Sequence, residues 1–264
     1  MRILDDIPFE IDREEVFGVL HLDPRHPYAS EVDALIERAR QLARPRAVYE
    51  VAFVEGKETD SVVIAGGSRD LERALGRRSS GRPSPSPRPA NPTRAGVDPG
   101  RARFVSRVLR ANLDRVERVF PYVATCGREL DSAPPPDGDV FNQFCWDAIK
   151  EMALHVALSH LLDHLKEVHE LESLSSMNPG SGDAGVWPIE QQKELFAFFG
   201  DVEDLIGVAL TGSCLMIPNK SVSGLLFSSD HGFESCQLCH REVCPRRRVP
   251  FDPHLWEERF GKQA

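Results

Sequence analysis

The chain has 264 residues, a formal net charge of −9 at pH 7 and 41% hydrophobic residues. It is long enough to bury a sizeable core as one large domain or two small ones. The acidic balance argues against nonspecific nucleic-acid binding, which needs a basic face to displace counterions. Residues 1–6 lack the basic start of a secretory signal, and no window approaches the apolar length of a membrane span. We therefore expect a soluble cytoplasmic protein without nucleic-acid or membrane partners.

Two helices and a hairpin are predicted in the first quarter of the chain. Asp12 is a candidate N-cap followed by two glutamates, which favours a short helix within residues 8–20. In residues 28–43 the apolar positions recur every three or four residues, which predicts an amphipathic helix. β-branched and aromatic runs at residues 47–54 and 61–65 are typical of a hairpin.

An insertion separates this part from the next predicted elements. Residues 77–101 are dense in Arg, Ser, Pro and Gly and show no hydrophobic periodicity. Such a segment cannot bury enough apolar surface to offset its chain entropy, so we expect a disordered insertion. The alternative is a phosphorylatable or acid-binding arm, because serines stand among its arginines. An amphipathic helix is predicted over residues 104–119, and a strand over residues 119–125.

A long central helix is predicted over residues 139–171, where apolar positions keep helical spacing. Its length suits a helix that packs across a sheet. Shorter helices are predicted at residues 189–199 and 202–206, and strands at residues 208–211 and 221–227. Separate helices together with antiparallel strands indicate an α+β fold.

Some histidines and cysteines within these elements could be ligands or ordinary packed residues. His160 and His164 lie four residues apart on one face of the central helix, which is the spacing of a two-histidine metal site. No third ligand is near in sequence, so we prefer the interpretation of ordinary helix-flank histidines. Cys126 and Cys145 fall on apolar positions of a strand and a buried helix, where unpaired cysteines usually serve as core residues.

Several phrases of the chain resemble one known family. They lie at residues 177–183, 187–192, 206–211 and 217–224, with a further one at residues 124–130, and the most specific portion is residues 187–224. They resemble the activation, or reactivation, domain of cobalamin-dependent methionine synthase, in the free-standing form that some bacteria carry. The resemblance implies a bent antiparallel sheet with a long central helix. It covers most of the chain apart from the insertion and the part after the last predicted strand.

The resemblance also implies a domain division and a pocket for S-adenosylmethionine (SAM). An activation-domain-like domain would occupy residues 1–230, and a C-terminal extension with a cysteine motif would occupy residues 231–264. The implied pocket residues are Pro179, Gly180, Ser181, Asp183, Ser221, Ser223 and Gly224. A Pro-Gly-Ser-Gly loop allows close approach of backbone groups to a ligand, and small hydroxyl residues add donors without filling the space.

Two positions of this pocket depart from the family. Ser176 stands where the family has an arginine that would pair with the SAM carboxylate, and Ser181 stands where it has a tyrosine. The loss of a bidentate arginine–carboxylate contact weakens the case for SAM itself. We expect the pocket itself to be retained, with either SAM or a different ligand bound in it.

A metal site is predicted in the C-terminal extension. Three closely spaced cysteines, the last followed by proline, resemble the bacterial ferredoxin run, and the arginines that follow would offset the charge of a thiolate-ligated cluster. The spacing suits an iron–sulfur cluster such as 4Fe–4S or a structural zinc ion, with free thiols or redox pairing as a third reading. The predicted ligands are Cys236, Cys239, Cys244 and, as a fourth protein ligand, Cys214, with His231 or His240 as alternatives for zinc.

These observations give one leading hypothesis and two alternatives. The leading one is a stand-alone protein that docks on a cobalamin-carrying methionine synthase, or another corrinoid protein, and returns inactive cob(II)alamin to its methyl form. In the family, an electron reduces the cobalt and SAM then supplies the methyl group. The electron would come from the cysteine site, or from a donor such as flavodoxin or ferredoxin. The alternatives are a non-catalytic module that binds SAM or a corrinoid protein with a zinc-stapled tail, and an iron–sulfur enzyme with another substrate.

Overall fold

The computed structural model describes most of the chain. It covers residues 1–66, 99–133, 135, 139–181, 186–228, 235–243, 247 and 249–261. The predicted insertion lies outside these residues except for its last three, and Arg101 already begins a strand. Of the predicted site residues, Asp183, His231 and Cys244 also lie outside them.

The described strands form one large antiparallel sheet and one small hairpin. The large sheet contains β1 (Arg2–Leu4), β2 (Arg46–Tyr49), β3 (Ala52–Lys57), β4 (Ser61–Gly66), β5 (Arg101–Val105), β6 (Arg118–Thr125), β7 (Ser175–Met177) and β10 (Ser221–Phe227). The hairpin contains β8 (Ala209–Leu210) and β9 (Met216–Ile217).

Strand β6 is the centre of the large sheet. One of its edges pairs with β10 along seven residues, and β10 pairs in turn with the short strand β7. The other edge is shared, because β2 pairs with residues 122–125 and β3 with residues 118–119. The sheet therefore forks beside β6 into an arm of β2 and β1 and an arm of β3, β4 and β5.

Helices cover both faces of this sheet. They are α1 (Arg13–Val19), α2 (Ala29–Leu42), α3 (Arg107–Asn112), α4 (Arg128–Asp131), α5 (Val140–His169), α6 (Gln192–Phe199), α7 (Val202–Ile206) and α8 (Pro253–Phe260). Short 3-10 turns occupy Ile189–Gln191 and Ser235–Leu238. No helix in the described part of the chain is long and apolar enough to cross a membrane.

The core is divided between the two faces. On one face, α5 packs Ala157, Leu161 and Leu165 against Tyr49 and Tyr122 of the sheet, and its N-terminal half packs against α1 and α2. On the other face, α3, α6 and α7 pack around a fully buried tryptophan, Trp187. The predicted α+β class and the long central helix are confirmed.

Two predicted elements are wrong in detail. The helix predicted over residues 104–119 is a strand followed by a six-residue helix, because alternate residues of β5 are buried against β4 and Ser106 then caps α3 through the N–H of Leu109. The strand predicted over residues 47–54 is two strands, β2 and β3, which pair with different parts of β6.

Candidate functional site

The predicted ligand loop leaves the sheet at the end of β7. Pro179 is buried, and Gly180 adopts a positive φ of 78° at which a side chain would be strained. The N–H of Gly180 donates to the carbonyl of Trp187 at 2.8 Å, and the N–H of Ser181 donates to the carbonyl of Asn178 at 3.1 Å. Residues 178–181 thus form a tight turn, which we call the β7 turn, fixed on the buried Trp187.

Gly224 allows the β7 turn to lie directly against strand β10. A Cβ at this position would lie 2.3 Å from the carbonyl oxygen of Met177 and 2.5 Å from Nδ2 of Asn178. That amide donates to the hydroxyl of Tyr122 at 2.7 Å and to the carbonyl of Ser223 at 2.8 Å. Asn178 was not among the predicted pocket residues, although a glycine in mid-strand is a known signal of close backbone approach.

The predicted pocket residues of β10 lie on both faces of the sheet. Side chains alternate along a strand, and Leu226 packs with α5 whereas Leu225 packs with the core around Trp187. Gly224 therefore belongs to the α5 face, and Ser221 and Ser223 belong to the opposite face. The structure brings Gly224 and Ser223 next to the β7 turn, while Ser221 lies at the far end of the strand.

Ser223 has the clearest mark of a ligand contact. It is 2% exposed, yet its hydroxyl has no hydrogen-bond partner among the described residues. Buried polar groups are usually paired, so an unpaired hydroxyl points to a missing water or ligand. Ser221 differs, because its Oγ lies 2.9 Å from Oγ1 of Thr125 and 2.8 Å from the carbonyl oxygen of Pro218.

The edge of β10 beside Ser223 has no pairing strand among the described residues, and we call this unpaired edge the notch. Strand β7 pairs with residues 225–227 only, so no described strand pairs with this edge of residues 221–224. The β7 turn closes one end of the notch, and Ser181 is half-buried there. Ser176 lies two positions before the first residue of the β7 turn, opposite Leu226, and it is neutral where the resemblance predicts the family arginine.

The C-terminal cysteines lie on a loop that packs on the main core. Leu238, between Cys236 and Cys239, is fully buried in the core around Trp187. The N–H of Cys239 donates to the carbonyl of Cys236 at 3.3 Å, so both cysteines share one turn. Both are half-buried. Among the described residues no three metal-binding side chains come together, and the part of Cys244 stays a prediction.

The other predicted ligands and core cysteines have different surroundings. Cys214 is 3% exposed on the β8–β9 hairpin, with a left-handed φ of 64°. The ring of His240 lies between Phe251 and Trp256, with both centroid distances at 4.3 Å. Cys126 and Cys145 are fully buried, and burial raises their pKa to about 12 and about 11. Their prediction as core thiols is confirmed.

Helix α3 contacts strand β7 and helix α8, the elements next to the two candidate sites. Asn112, its last residue, donates from Nδ2 to Sδ of Met177 at 3.2 Å, and Oγ of its cap Ser106 donates to the carbonyl of Val186 at 2.5 Å. On another side, α3 contacts α8, which follows the cysteine loop. The two candidate sites are thus joined through α3.

A histidine cluster occupies the end of α5. Nε2 of His164 lies 3.0 Å from the hydroxyl of Tyr49, so this histidine is hydrogen-bonded within the core. Burial lowers the pKa of His164, and the charges of Arg2 and His160 lower it further. Burial likewise lowers the pKa of His169, which lines a cavity of about 280 Å³ beside Tyr49. The predicted pocket residues do not line this cavity.

Comparison with known proteins supports the architecture. No protein-family model matches the chain, and a search of curated proteins also gave no match. Among solved structures, the crystal structure of the MetH reactivation domain bound to AdoHcy matches with a TM-score of 0.52, over 86% of this chain and 78% of that chain. The chain has the fold of the MetH reactivation domain. The sequence identity is 13%, so this likeness concerns the fold.

Three of the phrases that carry the sequence resemblance lie close together in the structure. The phrase at residues 177–183 contains the last residue of β7 and the β7 turn, and the phrase at residues 217–224 contains the start of β10; they meet at Gly224. The third phrase, at residues 187–192, contains Trp187 and Gln191, whose side chains are hydrogen-bonded at 3.2 Å. The neighbouring phrases at residues 177–183 and 187–192 and the later phrase at residues 217–224 therefore contact one another around the β7 turn.

Proposed function

We propose that this chain reactivates a corrinoid-dependent methyltransferase, with SAM as the methyl donor and cob(II)alamin of the partner as the substrate. The observation that carries the proposal is the shared reactivation-domain fold, whose solved relative is bound to AdoHcy. AdoHcy is the compound that remains when SAM has given up its methyl group. The partner would be a cobalamin-dependent methionine synthase or another corrinoid protein.

The notch beside Ser223 is the proposed SAM site. Its unpaired hydroxyl supplies one hydrogen-bonding group, and the open edge of β10 supplies backbone groups. Backbone and hydroxyl groups of this kind orient a ligand in a pocket formed mainly by apolar walls. Pro179, Gly180 and Ser181 would close the site and Ser221 would lie at its end, and Asp183 is proposed as a further ligand contact. Because Ser176 cannot replace an arginine, the SAM carboxylate would be held by hydrogen bonds alone, and affinity would be modest.

The C-terminal cysteines are proposed to hold a metal centre. Cys236 and Cys239 share a turn and are partly accessible, and thiolates are the ligands preferred by both iron–sulfur clusters and zinc. Cys244 would be the third ligand, and Cys214 is the proposed fourth. A bound 4Fe–4S cluster would supply single-electron chemistry, and flavodoxin or ferredoxin would be its electron source. The residues of this chain would hold the centre and join it to the SAM site through α3.

The first test is a calorimetric titration of the purified chain with SAM and with AdoHcy. Ser223→Ala should weaken binding about fivefold, because a hydrogen bond contributes about 1 kcal/mol. The matched control is Ser159→Ala, an exposed serine on α5, which should bind as the wild type does. Absence of SAM binding at millimolar concentration would remove SAM from the proposal.

The second test measures conversion of cob(II)alamin to methylcobalamin on a methionine synthase without its own activation domain. The absorption spectrum of the cobalamin follows the reaction. With flavodoxin or ferredoxin as the electron donor, Cys239→Ser should abolish the reaction. A low-potential chemical reductant that reduces cob(II)alamin directly should restore it. Full activity of Cys239→Ser without that reductant would exclude the redox role.

A binding module with a zinc-stapled tail is the second candidate. It is retained because Ser176 stands where the resemblance places a carboxylate-binding arginine, so methyl transfer from SAM loses one supporting contact. Iron, sulfide and zinc analysis of protein purified without oxygen separates the two candidates. Stoichiometric zinc with no reducible spectroscopic signal would support the module, and iron with sulfide would support the electron-delivering protein.

A further inference from the structure

We infer that Arg247 is the positioning residue of the cysteine loop, and that it shapes the loop before any metal binds. This inference deepens the proposed metal centre. The sequence had indicated only that arginines after the cysteines would offset charge. The structure gives one of them a specific set of backbone contacts.

The guanidinium of Arg247 donates hydrogen bonds to three carbonyl groups of the loop. Nη1 donates to the carbonyl of Cys236 at 3.2 Å, and Nη2 donates to the carbonyl of Cys239 at 3.2 Å. Nη2 also donates to the carbonyl of Arg241. A guanidinium carries five donors in a planar fork, whereas a lysine ammonium is a single point, so these contacts use a property specific to arginine.

These contacts fix the direction of the peptide groups around the cysteines. In a planar trans peptide the carbonyl and the following N–H point in opposite directions. Because the carbonyls of Cys236, Cys239 and Arg241 face Arg247, the N–H groups of the next residues point away from it. The guanidinium charge lies beside the backbone of both cysteines, and nearby charge tunes the potential of a thiolate-bound centre. Arg247 thus fixes the backbone that carries the two thiols.

The loop is also anchored on both sides of Arg247. Leu238 is buried in the main core, and the N–H of Asp252 donates to the carbonyl of Gln237 at 2.9 Å. The side chain of Asp252 caps α8, accepting from the N–H of Leu255 at 3.0 Å. The loop is therefore attached to the domain independently of Arg247. Loss of the Arg247 side chain should make the loop more mobile without unfolding the protein.

The test compares three variants in the full-length protein. Arg247→Gln removes both charge and contacts, and Arg247→Lys keeps the charge but loses the fork. Arg241→Gln is the matched control, since the side chain of Arg241 is exposed and the loop uses only its carbonyl. Zn²⁺ affinity is measured by competition with a chromophoric chelator, and hydrogen exchange of residues 236–241 is measured in metal-free protein.

We expect Arg247→Gln and Arg247→Lys to lower Zn²⁺ affinity about 10- to 100-fold, as residues that support metal ligands do. Both should speed exchange in the metal-free loop, while Arg241→Gln should leave affinity and exchange unchanged. If an iron–sulfur cluster is reconstituted, Arg247→Gln should lower its reduction potential, and Arg247→Lys should lower it less. Equal effects of Arg247→Gln and Arg241→Gln would overturn the inference.

The hydrogen-exchange measurement separates this inference from the proposed function. If the wild type binds neither Zn²⁺ nor iron, the proposed metal centre fails, yet faster exchange in Arg247→Gln would still support the positioning role. If the wild type binds metal and Arg247→Gln changes neither affinity nor exchange, the positioning role fails while the metal centre stands.

Discussion

Replacing Gly224 by alanine should destabilise the protein more than any other single added methyl group in the candidate site. The new Cβ would lie 2.3 Å from the carbonyl oxygen of Met177 and 2.5 Å from Nδ2 of Asn178. Movement of either neighbour costs free energy, because the carbonyl belongs to the backbone of β7 and the Asn178 amide donates two hydrogen bonds.

The expected cost follows from these contacts. Overpacking a tight site costs about 1–3 kcal/mol, and each lost hydrogen bond of Asn178 costs about 1 kcal/mol. The alanine regains up to about 1 kcal/mol, because it restricts the unfolded chain. The net loss is about 3 kcal/mol, which lowers the melting temperature of a protein of this size by roughly 10 °C.

Thermal unfolding followed by circular dichroism measures this change. Gly212→Ala is the control, because no heavy atom lies within 4 Å of the Cβ it would add, and its melting temperature should stay close to that of the wild type. If Gly224→Ala melted together with this control, the close approach of β7 to β10 would be refuted. The shape of the proposed SAM notch would then be wrong as well.

Three further predictions concern titration, thiol reactivity and the unpaired hydroxyl. Burial lowers the pKa of His164 and His169, so below the ordinary histidine pKa of about 6.5 the unfolded chain binds more protons than the folded chain. The free energy of unfolding should therefore fall as the pH drops below about 6.5. In urea denaturation from about pH 5 to 7, a His164→Gln/His169→Gln variant should show a weaker pH dependence. Iodoacetamide should modify Cys236 and Cys239 well before Cys126 and Cys145, because burial raises the pKa of the latter two thiols. Mass spectrometry measures the extent of labelling with time, and early labelling of Cys126 or Cys145 would contradict their burial. Ser223→Ala should leave the free energy of unfolding within about 0.5 kcal/mol of the wild type, because its hydroxyl has no partner to lose, and a drop above 1 kcal/mol would mean an internal bond instead of a ligand contact.

The fold was predictable where local patterns are long. Helix α5 has a periodic apolar face, and strand β10 is a continuous run with clear ends, so both were predicted nearly to the residue. The last two residues of strand β5 were predicted as helix and its first residue as part of the insertion, because the five residues before Ser106 alternate too briefly to be recognised as a strand. Strands β1 and β7 are three residues each and form only because a partner strand is present.

The residues of the candidate site could be proposed from the sequence resemblance, but their geometry could not. The sequence indicated that Gly224, Ser223 and the β7 turn belong together, and the structure makes them neighbours. It did not reveal Asn178 as the residue that joins them, since that role depends on Tyr122, far away in the chain. The contacts of Arg247 could not be predicted either, because its three carbonyl partners come together only through the conformation of an irregular loop, which has no sequence periodicity.

The pairing of β4 with β5 also determines how the chain can tolerate change. The N–H of Gly66 donates to the carbonyl of Gly100 at 2.7 Å, so the whole segment 67–98 begins and ends at one point of a hairpin. Closing a loop costs only about 0.6 kcal/mol for each doubling of its length. In evolution, such a junction is an entry point where sequence can be gained or lost while the ligand notch and the cysteine loop stay intact.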